Sequence, residues 1–273
     1  MRRAAILYAR ADAEKSRVLI RKYVSALRGS GFLPGLVITD GLPYPAVLSA
    51  VTHAEFVINR TRDHALARFL EENGVFVSDP SEVTETANDK LKTYERLHNI
   101  VPMLETRLLT EEAPSLPFPL VVKPAAGHGG AGVTLVKTAE ELALYRAAHP
   151  EKSVYQPLAT ALGRDMRVYV IGGEPVCAML RRSETDFRSN YSLGGSAQPV
   201  PISELSAEEL SIVRAVCASL PLHYAGVDIM RDNGRPILNE IEDPVGARML
   251  YANTDIDPAL LHAEYLSALQ NSK

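Results

Sequence analysis

The residues best placed to do chemistry lie near the C-terminal end, in "PILNEIEDPVGARM" (236–249), where Glu240, Glu242 and Asp243 follow the apolar pair Ile237–Leu238. Like charges this close repel, so a fold that keeps them supplies a compensating arginine, proton or metal ion. The preceding stretch makes the arrangement more specific. "YAGVDIMRDNGRPILNEIED" has the pattern of two strands around a turn at Asp232, Asn233 and Gly234. A three-residue loop with Gly234 left-handed sets Ile229 opposite Ile237. Ala225, Val227, Ile229, Ile237 and Ile241 then share an apolar face with Asn239, while Asp228, Glu240 and Glu242 gather on the other. A two-residue Asn-Gly loop would divide the acids between the faces. Three carboxylates on one face suit a hard cation such as magnesium, which takes oxygen ligands and bridges them to phosphate. A solvated strand face explains the hairpin equally well, and a hydrolase or glycosidase acid pair stays open. The hairpin alone does not choose.

A phosphate signal comes from "PLVVKPAAGHGGAGVTLV" (119–136). Gly127, Gly129 and Gly132 form a G-x-G-x-x-G match, which carries little weight by itself. A dinucleotide site needs a helix after the glycines, and here another strand, "VTLV", follows. A strand–glycine loop–strand hairpin instead folds over phosphates as a flap, because backbone N–H groups approach closely where no Cβ intervenes. Lys123, ending an apolar strand just before the loop, fits a mobile point charge for phosphate better than it fits a merely flexible hairpin tip. The chain contains no Walker A pattern. His128, at the loop tip, is read as solvent-exposed and is left out of the catalytic set.

Those residues need elements to hold them. The 273 residues are 46% hydrophobic and 23% charged, an ordinary globular composition with room for one large core or a few lobes. A net charge of −4 and the lack of a basic stripe interleaved with aromatics argue against nucleic acid. No apolar run reaches membrane-spanning length and the N-terminal apolar stretch is short for a signal peptide, so the expected location is the cytoplasm. Cys177 and Cys217 sit in apolar surroundings and read as reduced core thiols. "AAILYA", a helix over 11–29, "GLVIT", "FVIN", the helix "DHALARFLEEN" and "GVFVS" alternate in the manner of a parallel sheet flanked by helices. Two helix starts carry capping-box pairs, Thr138 with Glu141 and Ser206 with Glu209. Strands are expected near "SVYQPL", "DMRVYVIG" and "EPVCAMLRR", and the chain closes on an apolar helix, "PALLHAEYLSAL".

Taken in order, these pieces resemble an ATP-grasp carboxylate–amine ligase, nearest the ribosomal-protein glutamate ligase and glutathione synthetase branch. The likeness spans residues 86–257 and rests on "NDKLKTYERL", "LVVKPAAGHGGAGV", "VYQPL", "GRDMRVYVIGGEPVCAMLRR", "DFRSNYSLGGSA", "AGVDIM" and "NEIED". It implies an α/β fold in lobes: residues 1–85 a parallel α/β lobe on the substrate side, 86–158 a linker helix and flap lobe, and 159–273 an antiparallel sheet with helices and the metal site. By the same resemblance Lys90, Lys123 and the flap at Gly129 and Gly130 hold the ATP phosphates. Adenine falls near Gln156 and Leu158, and Asp165 near the ribose. Asp228, Glu240 and Glu242 take two magnesium ions, for which manganese can substitute. Arg188, Asn190, Arg167 and Arg181 face the transferring phosphoryl group.

The implied reaction joins a small-molecule or peptide carboxylate to an amine through an acyl phosphate, in a chain whose relatives are commonly homodimers. Departures from the family pattern fall at the substrate end. Pro157 follows Gln156 where a glutamate is usual, removing a backbone donor. Glu242 replaces an asparagine, and "EDPVGARML" replaces the usual Asn-x-Ser-Pro-Gly. In that loop Arg248 is a candidate clamp for a substrate carboxylate. The competing expectations are a phosphotransferase on the same scaffold and a regulatory module that binds ATP without turnover.

Overall fold

A computed structural model of the chain describes residues 2–184, 186, 188 and 195–272. The first lobe runs β1 (Arg2–Tyr8), α1 (Arg10–Lys15), α2 (Arg17–Gly29), β2 (Phe32–Ile38), α3 (Tyr44–Val51), β3 (Phe56–Asn59), α4 (His64–Glu72) and β4 (Val77–Ser78). Its strands form a parallel sheet in the order β2-β1-β3-β4. β1 is buried on both faces: Ala4, Ile6 and Tyr8 enter one core with α2, and Ala5 and Leu7 enter another with α3 and α4. Such two-sided burial explains why "AAILY" reads as a continuous apolar run. The helix expected over 11–29 breaks at Ser16 (φ −105°, ψ 17°) into α1 and α2. The sequence also gave no warning of α3.

Two linker helices follow, α5 (Ser81–Ala87) and α6 (Lys90–Leu97). The next lobe contains β5 (Arg107–Leu108), β6 (Leu120–Pro124), β7 (Thr134–Val136), α7 (Ala139–Ala148) and β8 (Ser153–Pro157), in an antiparallel sheet ordered β5-β8-β6-β7. Ser206 and Glu209 form a complete capping box. At Thr138 only half of one forms, because the Glu141 carboxylate accepts from the N–H of Lys137 instead.

The last lobe is an antiparallel sheet, β11-β10-β9-β12-β13, built from β9 (Arg164–Ile171), β10 (Glu174–Arg182), β11 (Ser196–Val200), α8 (Ala207–Ser219), β12 (Tyr224–Asp232), β13 (Arg235–Glu242), α9 (Arg248–Asn253) and α10 (Pro258–Asn271). Its core takes in Val83 of α5 and Leu97 of α6, so the linker helices pack here. In the opposite direction, Ala259, Ala263 and Leu266 of α10 return to the core of the first lobe beside α2. Asp79 adds a polar tie between the two lobes, accepting from the backbone N–H groups of His223 (2.8 Å) and Tyr224 (3.0 Å).

The hairpin register differs from the one expected. Asp232 pairs with Arg235, so the turn is the two-residue Asn233–Gly234, both at positive φ (48° and 78°). Ile229 therefore lies opposite Leu238, not Ile237. The acids still end on one face because the pairing shifts by one residue at Asn239, and Asp228 meets Glu240. A single-residue bulge changes the phase of one strand against its partner. Leu238 accordingly takes the core position next to Ile229 and Ile241.

Candidate active site

The flap and the acidic hairpin face one cleft. Lys90, Lys123, the loop from Gly127 to Ala131, Gln156, Leu158, Asp165, Arg181, Arg188 and Glu240 all line it. β6 runs between β7 and β8; Lys123, one residue past the last β7 pair, lies opposite Val154 of β8, and its side chain is buried. Lys90 opens α6, where Asp89 caps the first turn by accepting from the N–H groups of Leu91 and Lys92. The Lys90 ammonium donates to the Gly127 carbonyl, and its backbone N–H donates to Ala125 O at 3.0 Å. The helix start is thereby fastened to the flap base. Gly129, Gly130 and Gly132 take positive φ, and a Cβ at Gly132 would fall 2.7 Å from the Pro124 ring, so side chains are sterically refused there.

Burial pushes Lys123 down to about 8, with Lys90 adding to the fall and Glu240 opposing it. On the expectation that Lys123 holds phosphate, the sign of the pH effect is fixed: the ammonium form would bind phosphate, and bound phosphate would raise the lysine again. Affinity for ATP should weaken as pH rises through about 8, by roughly tenfold between pH 7 and 9 if one proton is linked. Calorimetry in buffers of different ionisation heat should also show proton uptake on ATP binding near pH 8.5. Constant affinity over that range would remove Lys123 from the phosphate site.

An arginine–carboxylate chain runs from the cleft lining at Asp165 and Arg181 into the sheet. Arg167 grips Asp228 with two bonds, Nε to Oδ1 at 2.7 Å and Nη2 to Oδ2 at 2.6 Å, and reaches Glu242 at 2.9 Å. Arg181 bridges Asp228 (2.6 Å) and Asp165. Asp228 is fully buried. Burial pushes its carboxyl up, but the two guanidinium groups outweigh that and hold it below the usual carboxylate range. Glu240 differs: no described side chain hydrogen-bonds it, and burial raises it, with Asp228 and Glu242 adding to the rise and Lys90 and Lys123 opposing.

Ligand oxygens of Asp228, Glu240 and Glu242 lie within 4.8 Å of one another, and an all-oxygen set of this size fits magnesium. Both oxygens of Asp228 are already engaged by arginine, so Glu240 is the carboxylate most open to a cation.

The remaining site residues are distributed as follows. Arg188 donates to the flap carbonyl of Gly130 (2.9 Å) and pairs with Asp186. Asn190 lies outside the described residues. Arg248 is exposed at the start of α9 and does not line the cleft. Sequence reasoning overlooked Met230, Val121 and Leu162, which line the cleft. Met230 had a signal, since it shares even parity with Asp228 along β12.

A parallel lobe, a glycine flap and an acidic hairpin closing on one cleft define an ATP-grasp fold. Comparison with known proteins narrows the class. Residues 91–266 match the RimK-like ATP-grasp domain, and the chain belongs to that family. A probable alpha-L-glutamate ligase of Sodalis glossinidius is 37% identical over 155 residues, 55% of this chain and about half (51%) of that protein's length. Another, from Picosynechococcus, is 30% identical over 215 residues, 74% of this chain and 70% of its own. In fold, the chain is similar to D-alanine–D-alanine ligase from Bacillus anthracis complexed with ATP, at a TM-score of 0.77 and 17% identity over 100% of this chain and 99% of that one. ATP and Mg2+ are the cofactors of the family.

Proposed function

We propose that this protein is an ATP-dependent ligase joining a carboxylate to an amine, with amino acids or peptides as substrates, through an acyl-phosphate intermediate. The observation that carries this reading is the convergence of Lys90, Lys123, the glycine flap and Glu240 on one cleft. In the first step a substrate carboxylate oxygen attacks the ATP γ-phosphorus and ADP leaves. In the second the amine nitrogen attacks the acyl carbon, inorganic phosphate leaves, and the amine gives up a proton. The protein's part is to position anions and neutralise their charge. Lys90 and Lys123 hold phosphate oxygens, and the flap N–H groups cover them. Arg188, tied to the flap through Gly130 and lining the cleft, would stabilise the charge that develops on the transferring group. Gln156 and Leu158 at the end of β8 take the adenine, with Asp165 beside the ribose. Asp228, Glu240 and Glu242 would hold two magnesium ions, which supply charge neutralisation at the transferring phosphoryl group. Arg167 and Arg181 would orient Asp228 through their hydrogen bonds to its two oxygens. A reaction that consumes ATP, in a chain with two free cysteines, fits the cytoplasm.

Phosphate release from Mg–ATP, measured with amino acids and small carboxylates as co-substrates, tests the reading. Release that needs both a carboxylate and an amine is expected. Release with a carboxylate alone and a stable phosphorylated product would mean a kinase, and ATP binding without release a regulator.

A further inference from the structure

Unpartnered hydrogen-bond donors concentrate at one place outside the nucleotide cleft. Tyr8 ends β1 and Asn59 ends β3, and Arg60 and Arg62 follow at once. In the order β2-β1-β3-β4 the chain leaves β1 toward β2 and later crosses back to β3 on the other side. The carboxyl ends of β1 and β3 thus flank the switch point, where open α/β sheets place their ligands. Four side-chain nitrogens here are buried with no hydrogen-bond partner among the described residues: Asn59 Nδ2, Arg60 Nε, Arg60 Nη1 and Arg62 Nε. The hydroxyls of Tyr8 and Tyr224 share that state. The hydroxyls can also accept, but among the described residues the cluster has one unpartnered carboxylate oxygen, Asp243 Oδ1, to set against the four nitrogens.

The neighbouring groups do not make up the shortfall. Asp79 is engaged by the N–H groups of His223 and Tyr224, and the other oxygen of Asp243 accepts from Thr84 at 2.9 Å. Arg60 lies over the Tyr224 ring and gives only Nη2 away, to the carbonyl of Val245 in the loop after the acidic strand. Arg62 pairs with Asp12 through Nη1 alone, at 3.2 Å, and keeps 27% of its side chain exposed, so the cluster has an open rim. Through Val245 the cluster is tied to the loop that follows the acidic strand of the cleft. Buried donors in such excess call for an acceptor-rich, anionic guest.

We propose that Arg62, backed by Arg60, Asn59 and Tyr8, forms a subsite for a substrate carboxylate other than the one that reacts. The substrate is then an amino acid, peptide end or dicarboxylate carrying a second carboxylate. This deepens the ligase reading and rests on it for the word substrate. The clamp sought at Arg248 lies instead on the first lobe.

The test uses glutarate and L-glutamate, with L-glutamine as the monoamide control, on the full chain. Calorimetric binding of glutarate in the presence of Mg–ADP requires no turnover, and KM for L-glutamate in phosphate release does. Arg62→Gln should weaken glutarate binding and raise that KM by roughly ten- to a hundredfold, the size of a lost charge-assisted contact. Arg62→Lys should recover part of the loss, and ADP affinity should stay within about twofold in both. Glutarate binding that is lost in Arg62→Gln, in a protein that releases no phosphate, upholds the subsite and removes the ligase reading. Amine-dependent turnover with an unchanged KM in Arg62→Gln does the reverse. Absence of carboxylate binding to the wild type, or binding equal in wild type and Arg62→Gln because only water fills the cluster, overturns the proposal.

Discussion

Glu240→Gln should cut magnesium-dependent turnover on the order of 10³-fold or more while leaving the protein folded. The substitution keeps shape and removes one ionisable oxygen. No described side chain hydrogen-bonds that carboxylate, so its loss leaves no donor stranded. Repulsion among the acids also falls, because Asp228 and Glu242 no longer face a third negative charge. Stability should therefore change by less than about 1 kcal/mol. One side effect has a definite sign. Glu240 helps to keep Lys123 protonated, so in the variant that lysine falls further and ATP binding near pH 8 weakens. Turnover is best compared near pH 7, across a magnesium titration, beside a thermal melt. Wild-type turnover at saturating magnesium in a folded variant would remove Glu240 from the metal site.

How much of this was legible beforehand depended on range along the chain. The flap was readable because strand, lysine, glycines and strand are contiguous. The acid face was readable from parity, although the turn behind that parity was wrong. A two-residue Asn233–Gly234 turn and a bulge at Asn239 shift the register in compensating ways, and alternation of apolar residues cannot register two errors that cancel. The break at Ser16 was hidden for a related reason, since apolar spacing continues across it. Arg167 and Asp228 are 61 positions apart and meet only because β9 lies beside β12 in the sheet. The sequence placed both arginines near phosphate but gave no hint that they clasp a carboxylate. Arg60 and Arg62 escaped altogether: "FVINRTRD" shows a strand ending in polar residues, and only the strand order reveals that this end flanks the switch point.

Asp228→Asn separates the roles of two acids that face each other across β12 and β13. Activity should fall as it does in Glu240→Gln, but here the fold should suffer too, by roughly 3–5 kcal/mol, the usual result of removing one partner from a buried ion pair. The carboxylate accepts from both Arg167 and Arg181 with no exposure to water. An amide of the same shape keeps one acceptor and turns an NH2 group toward a guanidinium, so two buried cations lose most of their compensation. Arg181 keeps Asp165, and Arg167 keeps the more exposed Glu242. The loss should therefore fall mainly on the hold between β9 and β12. The acid limb of the stability profile supplies a second reading. Because the Asp228 carboxyl is held below its ordinary value, its contribution is complete above the unfolded value near ~4 and fades only as pH falls through the lower folded value. The variant lacks that portion of acid dependence altogether. Denaturant midpoints at neutral pH and near pH 3 should differ less for Asp228→Asn than for the wild type. A variant as stable as the wild type at neutral pH would mean that the arginines, not the carboxylate, hold this layer together, and the cation that answers the acidic hairpin would have to be sought elsewhere.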